Sequence, residues 1–176
     1  MKNTTKIVFC GLMAALATVV MLVAYFPYLT YAVPAVASLF IMVVFIELGL
    51  KWGIMTYFAS ILPILLFAEL EAKILYIAFF GFYPLLKAVI ERVSTRVAEW
   101  FIKFVSFNLI IVLTYLFISF VVGIKLDDMG ELGKYGSLIL LAMGNLVFVA
   151  YDICIERIAG LYYIRFHNTV KKIISR

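Results

Sequence analysis

The chain has 176 residues, 66% hydrophobic and 14% charged, with a mean hydropathy of +1.15 and a formal net charge of +5. Soluble domains are about half apolar and about a quarter charged, so this composition excludes an ordinary soluble domain and predicts an all-α, polytopic integral membrane protein in the lipid bilayer. The basic residues are not gathered on a soluble module and no RNA- or DNA-binding motif is present, which excludes nucleic acid as a partner.

In chain order, Lys2 and Lys6 precede an apolar run from Ile7 to Phe26. A signal peptide has an apolar core of only about 7–15 residues, so this longer run reads as a retained first helix. Gly11/Ala15 and Ala14/Thr18 on it are pairs of small residues four apart, which let another helix approach closely. A short aromatic loop, Pro27 to Pro34, carries Tyr28 and Tyr31, residues suited to the membrane interface. A second span follows over about Ala35–Leu50, with Glu47 near its end, then a tight turn from Gly49 to Gly53. The third span is Ile54–Ala68 and contains Ser60 and Pro63.

The stretch from Glu69 to Arg92 is the fourth span, and no charge lies between Ile74 and Leu86. Pro84 lacks an N–H and clashes with the carbonyl four residues back, so the helix is expected to kink and free the Phe80 carbonyl. Freed backbone groups in a membrane must be covered by protein or by a water-filled cavity. Gly81 leaves a notch on the same face, with Tyr76 and Tyr83 as walls. A packing kink and a pocket wall are both consistent with this pattern.

From Arg92 to Lys103 the residues Val93, Val97, Trp100 and Phe101 form one apolar face, predicting a separate helix lying in the interface. The fifth span, Phe104–Ile124, holds Asn108; the sixth, Tyr135 to about Ile155, holds Asn145 and Asp152. Asn145 is expected at mid-membrane depth, free to clasp a neighbouring helix or to meet a ligand. Asp152 and Glu156, nearer the end, are expected to pair with Lys87, Arg92 or Lys51. Lys87 and Glu91 are spaced to pair with each other. The loop Lys125–Lys134 between the last two spans holds Asp127, Asp128 and Glu131 but lacks the ligand pattern of a calcium loop. The organisation expected is a six-helix transmembrane domain over 1–156 and a basic amphipathic tail over 157–176, the tail lying on the anionic inner leaflet.

With six spans the two termini share a side. That side carries Lys2, Lys6, Lys51, Lys87, Arg92, Arg96, Lys103, Arg157, Arg165, Lys171, Lys172 and Arg176, which is 12 of the 15 basic residues. Lys73, Lys125 and Lys134 lie opposite. The positive-inside rule therefore predicts both termini in the cytoplasm.

No catalytic motif is present, and the lone His167 lies in the basic tail, where a surface role is expected. No metal or cofactor signature is found. Cys10 and Cys154 lack ligand spacing and read as small buried hydrophobes. The residues best placed to meet a small-molecule ligand are Tyr28, Tyr31, Tyr76, Gly81, Tyr83, Pro84 and Asn145, because aromatic walls with a few polar groups suit such sites. Those placed to dock a partner are Gly11, Ala14, Ala15 and Thr18.

In its size, its six spans, its small-residue first helix GLMAALAT and its glycine-bearing turn GLKWG at 49–53, the chain resembles the substrate-binding S components of energy-coupling factor (ECF) transporters. The resemblance implies a bacterial cytoplasmic-membrane protein that binds a vitamin or related micronutrient without catalysis. The pocket would open outward, between the outer halves of the last three helices and the first loop. It also implies a coupling subunit and ATPase partners. In that family the first helix docks through an AxxxA pair, to which Gly11/Ala15 and Ala14/Thr18 are the nearest positions here. Two other classes remain: a scaffolding protein of envelope assembly without a ligand, and an intramembrane enzyme.

Overall fold

A computed structural model describes residues 3–26, 28–92, 95–122 and 136–175. Every regular element among them is helical. In order these are α1 (Asn3–Leu22, continued by a 3-10 turn, Val23–Tyr25), α2 (Ala32–Leu48), α3 (Leu50–Phe67), α4 (Leu70–Leu75), a π-helical turn (Tyr76–Phe80), α5 (Tyr83–Ile90), α6 (Arg96–Val122), α7 (Gly136–Arg165) and α8 (His167–Ser175). Among the described residues, four stretches are long and apolar enough to cross a membrane: Asn3–Tyr25, Leu50–Phe67, Leu70–Ile90 and Arg96–Thr114. The acidic loop 125–134, expected between the last two spans, lies outside the described residues.

The chain divides into two compact units. The first comprises Met1–Val89 and Ile155–Arg176, the second Ile90–Cys154. In the first unit, α1, α2 and α3 pack on one another. Their contact surfaces are made of small side chains, Ala14 and Ala17 on α1 and Ala37 and Ser38 on α2, all buried. Such residues let helix backbones approach where lipid offers no hydrophobic drive to association. Met21, Ile41, Ile64 and Leu85 fill the remaining core. The link between α2 and α3 is the single residue Gly49 at φ 90° and ψ 177°, a conformation that needs a residue without a Cβ. Gly53, one turn into α3, lies against Phe45 and Leu85, where an added Cβ would stand 2.6 Å from the Leu85 side chain. At the far end, the Glu69 carboxylate caps α4 by accepting the Ala72 N–H at 2.8 Å.

Three sequence expectations are revised. Residues 96–103 are the first turns of α6 rather than a separate interfacial helix. No Gly or Pro lies anywhere in Arg96–Val122, and the Lys103 charge is neutralised within the second unit. The last long helix does not stop near Ile155 but continues to Arg165, where the chain bends at Phe166 into α8. Polar residues past Ile155 find partners that keep the helix packed. Lastly, Cys154 is exposed, whereas Cys10 is buried as expected.

Candidate functional site

The fourth span is irregular at the place the sequence marks, but for a different reason. The Gly81 N–H donates to the Tyr76 carbonyl at 2.8 Å, a bond spanning five residues, and the chain then turns through Gly81 and Phe82. One extra residue is thereby inserted into the helix. Pro84 follows as the second residue of α5, in the first turn, where its missing N–H would have had no helical partner. The break is therefore centred on 76–82. Pro84 restarts the helix rather than kinking it.

The inserted turn is met by a buried row of α3. Gly53, Thr56, Tyr57, Ser60 and Ile64 recur at three and four residues and are all buried. The Tyr57 hydroxyl donates to the Ile77 carbonyl at 2.7 Å. This carbonyl lies inside the π turn, so the hydroxyl supplies a partner where helix bonding is irregular. The Tyr76 and Ser60 hydroxyls share a hydrogen bond at 2.9 Å, and Ser60 also donates to the Tyr57 carbonyl at 2.7 Å. Gly81 permits this arrangement: a Cβ there would lie 2.8 Å from the Tyr76 ring and 2.9 Å from Tyr57. Tyr83 is fully buried with its ring centroid 4.8 Å from that of Phe79. Tyr76, Gly81, Tyr83 and Pro84 thus belong to one aromatic and hydroxyl-bearing segment.

The other expected ligand residues are not part of that segment. Tyr28 has φ 71° and is 97% exposed in the turn before α2. Tyr31, also exposed, donates its hydroxyl to Glu71 at 3.2 Å, and the Glu71 charge holds the phenol above its ordinary pKa. Asn145 belongs to the second unit. There its amide donates to Asn108 Oδ1 at 3.1 Å and to the Leu141 carbonyl at 2.8 Å. Asn108 donates in return to Asn145 Oδ1 at 2.9 Å and to the Phe104 carbonyl at 2.8 Å. Both NH2 groups are fully engaged, which is the interhelical clasp.

The small residues of α1 divide between two faces. Ala14 is buried, and its carbonyl accepts the Thr18 hydroxyl at 2.9 Å. Gly11 and Ala15 are exposed, and a Cβ on Gly11 would meet no atom within 4 Å.

Sequence reasoning missed two polar groupings. In the second unit, Lys103 is 1% exposed and its ammonium reaches Glu99 at 2.5 Å, Glu91 at 3.1 Å and Asp152 at 3.2 Å. A buried ammonium needs such partners, since isolation in low dielectric costs several kcal/mol or more. In the first unit, Glu47 accepts the Tyr162 hydroxyl at 2.7 Å and lies 2.9 Å from His167 Nδ1. Glu156 stands 4.0 Å from Lys87, a pairing the sequence anticipated. The signals were available for the first grouping, because Glu99 and Lys103 are four apart. They were absent for the second, whose members are more than a hundred residues apart. No known protein family, curated protein or solved structure matches this chain.

Proposed function

We propose that the chain crosses the membrane six times with both termini in the cytoplasm, and that it binds a small solute, such as a vitamin or related micronutrient, without transforming it. Two helices join the four long apolar stretches in this reading. The 17 residues of α2 rise about 26 Å and the 30 residues of α7 about 45 Å, against a hydrocarbon core of about 30 Å. The orientation rests on the basic count: Lys6, Lys51 and Lys171 on the side of the termini, Lys73 with Glu69 and Glu71 on the other.

The observation that carries the binding reading is the π turn at Tyr76–Phe80 with its hydroxyl row Tyr57, Ser60 and Tyr76. Inserted turns of this kind are frequent at functional sites. Here three hydroxyls stand beside an irregular backbone in an otherwise apolar bundle, the mixture a small-molecule site uses. Transport would then need a partner complex of the ECF kind to supply ATP-driven release, docked on the exposed Gly11/Ala15 face of α1. Native mass spectrometry of protein extracted from its own host membranes tests this. The expected result is a bound molecule of defined small mass, lost in Ser60→Ala.

The second reading is a ligand-free scaffold of envelope assembly. The Asn108–Asn145 pair, whose donors are satisfied within the protein, favours it. Under this reading the extracted protein carries no small molecule and co-purifies instead with envelope-assembly proteins.

A further inference from the structure

One end of the first unit combines basic side chains with exposed apolar ones. There the buried Glu47, its side chain 3% exposed, holds Tyr162 of α7 and His167 of α8. The His167 ring also stacks on Tyr163, with centroids 4.7 Å apart and planes 14° apart. The bend itself is closed by backbone bonds: Phe166 N–H to the Tyr162 carbonyl at 2.8 Å, and Val170 N–H to the Phe166 carbonyl at 2.9 Å. This fixes the direction in which α8 leaves α7, and α8 lies beside α1.

His167 and Val170, three apart, are the half-buried side of α8, while Asn168, Thr169, Lys171 and Lys172 are exposed. Arg165 and Lys51 are exposed at the same end, and the Lys6 ammonium stands 5.6 Å above the Trp52 ring. Among the described residues, the acidic side chains of this end are Glu47, occupied by the clasp, and Glu156, 4.0 Å from Lys87. Between the basic groups, Ile164 is 77% and Phe166 57% exposed. Water suits the lysines but not these side chains; hydrocarbon suits the reverse. A headgroup layer suits both, with the apolar groups at the acyl boundary and the ammonium groups at the phosphates.

We infer that this end is a composite docking surface for anionic phospholipid headgroups, assembled from α8, the end of α7, the start of α1 and the α2–α3 turn. The Glu47–Tyr162–His167 clasp positions α8 on that surface. The sequence alone suggested a basic amphipathic tail lying on the anionic inner leaflet by itself; the clasp makes the surface a composite and fixed one, shared with Glu47, more than a hundred positions away. It is independent of whether the protein binds a solute.

The test uses the full chain in nanodiscs of phosphatidylcholine, alone or mixed with phosphatidylglycerol, and follows amide hydrogen exchange over residues 167–175. Exchange in α8 is expected to be about tenfold slower in the anionic discs, since each basic residue near such a surface contributes on the order of 1 kcal/mol. The Lys171→Gln/Lys172→Gln double variant should erase that difference without changing exchange in neutral discs. Raising the salt should erase it in the unaltered chain, because the attraction is screened. Glu47→Gln should speed α8 exchange in both lipids, which separates the clasp from the lipid contact. Equal exchange in the two lipids, as for a surface that seats a protein instead, would overturn the inference. So would a lipid difference that survives both the double variant and high salt.

Discussion

A methyl group on Gly81 would stand 2.8 Å from the Tyr76 ring and 2.9 Å from that of Tyr57, closer than side-chain carbons approach. Both rings are held by hydroxyl hydrogen bonds, so neither is free to withdraw. Gly81→Ala is therefore expected to destabilise the folded protein by about 1–3 kcal/mol, the usual cost of overpacking. Tyr57→Phe removes the donor to the Ile77 carbonyl and should cost about 1–3 kcal/mol for the buried acceptor left behind. Unfolding in detergent, followed by thermal melting, checks both; an unchanged midpoint in Gly81→Ala would mean that the packing described around the π turn is wrong. The amide clasp is a second test at this scale. Replacing Asn108 and Asn145 by Leu, singly and together, should show a coupling of about 0.5–2 kcal/mol, in the range measured for hydrogen bonds between membrane helices. A cycle that closes with no coupling would remove the clasp from the account.

At the scale of elements, α1 offers the sharpest contrast. Ala14 and Ala15 are neighbours in sequence, but Ala14 is packed inside the first unit and Ala15 is exposed. Ala14→Trp should abolish accumulation of the folded protein, while Ala15→Trp should accumulate normally and lose only a docked partner. Size-exclusion profiles of the two variants from equal cultures distinguish them; equal tolerance would contradict the packing of α1. The same contrast shows what was legible in the sequence. Apolar runs between charged and glycine-bearing turns located the early helices to within a few residues, because each turn residue does local work, as Gly49 does at φ 90°. Pro84 marked an irregular helix correctly, but its own role depends on where the helix restarts, which Gly81 and the hydroxyls of α3 decide. Tyr57 and Ser60 lie on the same face of α3 three residues apart, a polar signal that the periodicity of α3 carries in the sequence. The continuation of α6 was legible only in part: Glu99 lies four residues from Lys103, but Asp152, the third acid on that ammonium, is 49 residues away. That of α7 was not, since Glu47, the partner of Tyr162, lies 115 residues away.

For the whole molecule, the account requires a fixed orientation. In a background where Cys10 and Cys154 are replaced, Asp128→Cys should react with a membrane-impermeant thiol reagent in intact cells and Ser94→Cys should not. Both positions lie outside the described residues, so their labelling tests the charge count independently of the helix packing. The reversed pattern would refute the orientation and the outward-opening site together.

Binding of a solute at the break in the fourth span is the central claim, and melting in the presence of ligand tests it most directly. Purified protein in detergent is heated with each member of a set of water-soluble vitamins and their precursors. A ligand that binds only the folded state, at about a hundred times its Kd, stabilises by about 2.7 kcal/mol, which corresponds to about 5 °C or more for a chain of this size. The account predicts such a rise for one solute class in the unaltered chain and its loss in Ser60→Ala, with the unliganded midpoint of that variant still measurable. No rise with any solute, or a rise that Ser60→Ala and Tyr57→Phe both retain in full, would contradict it.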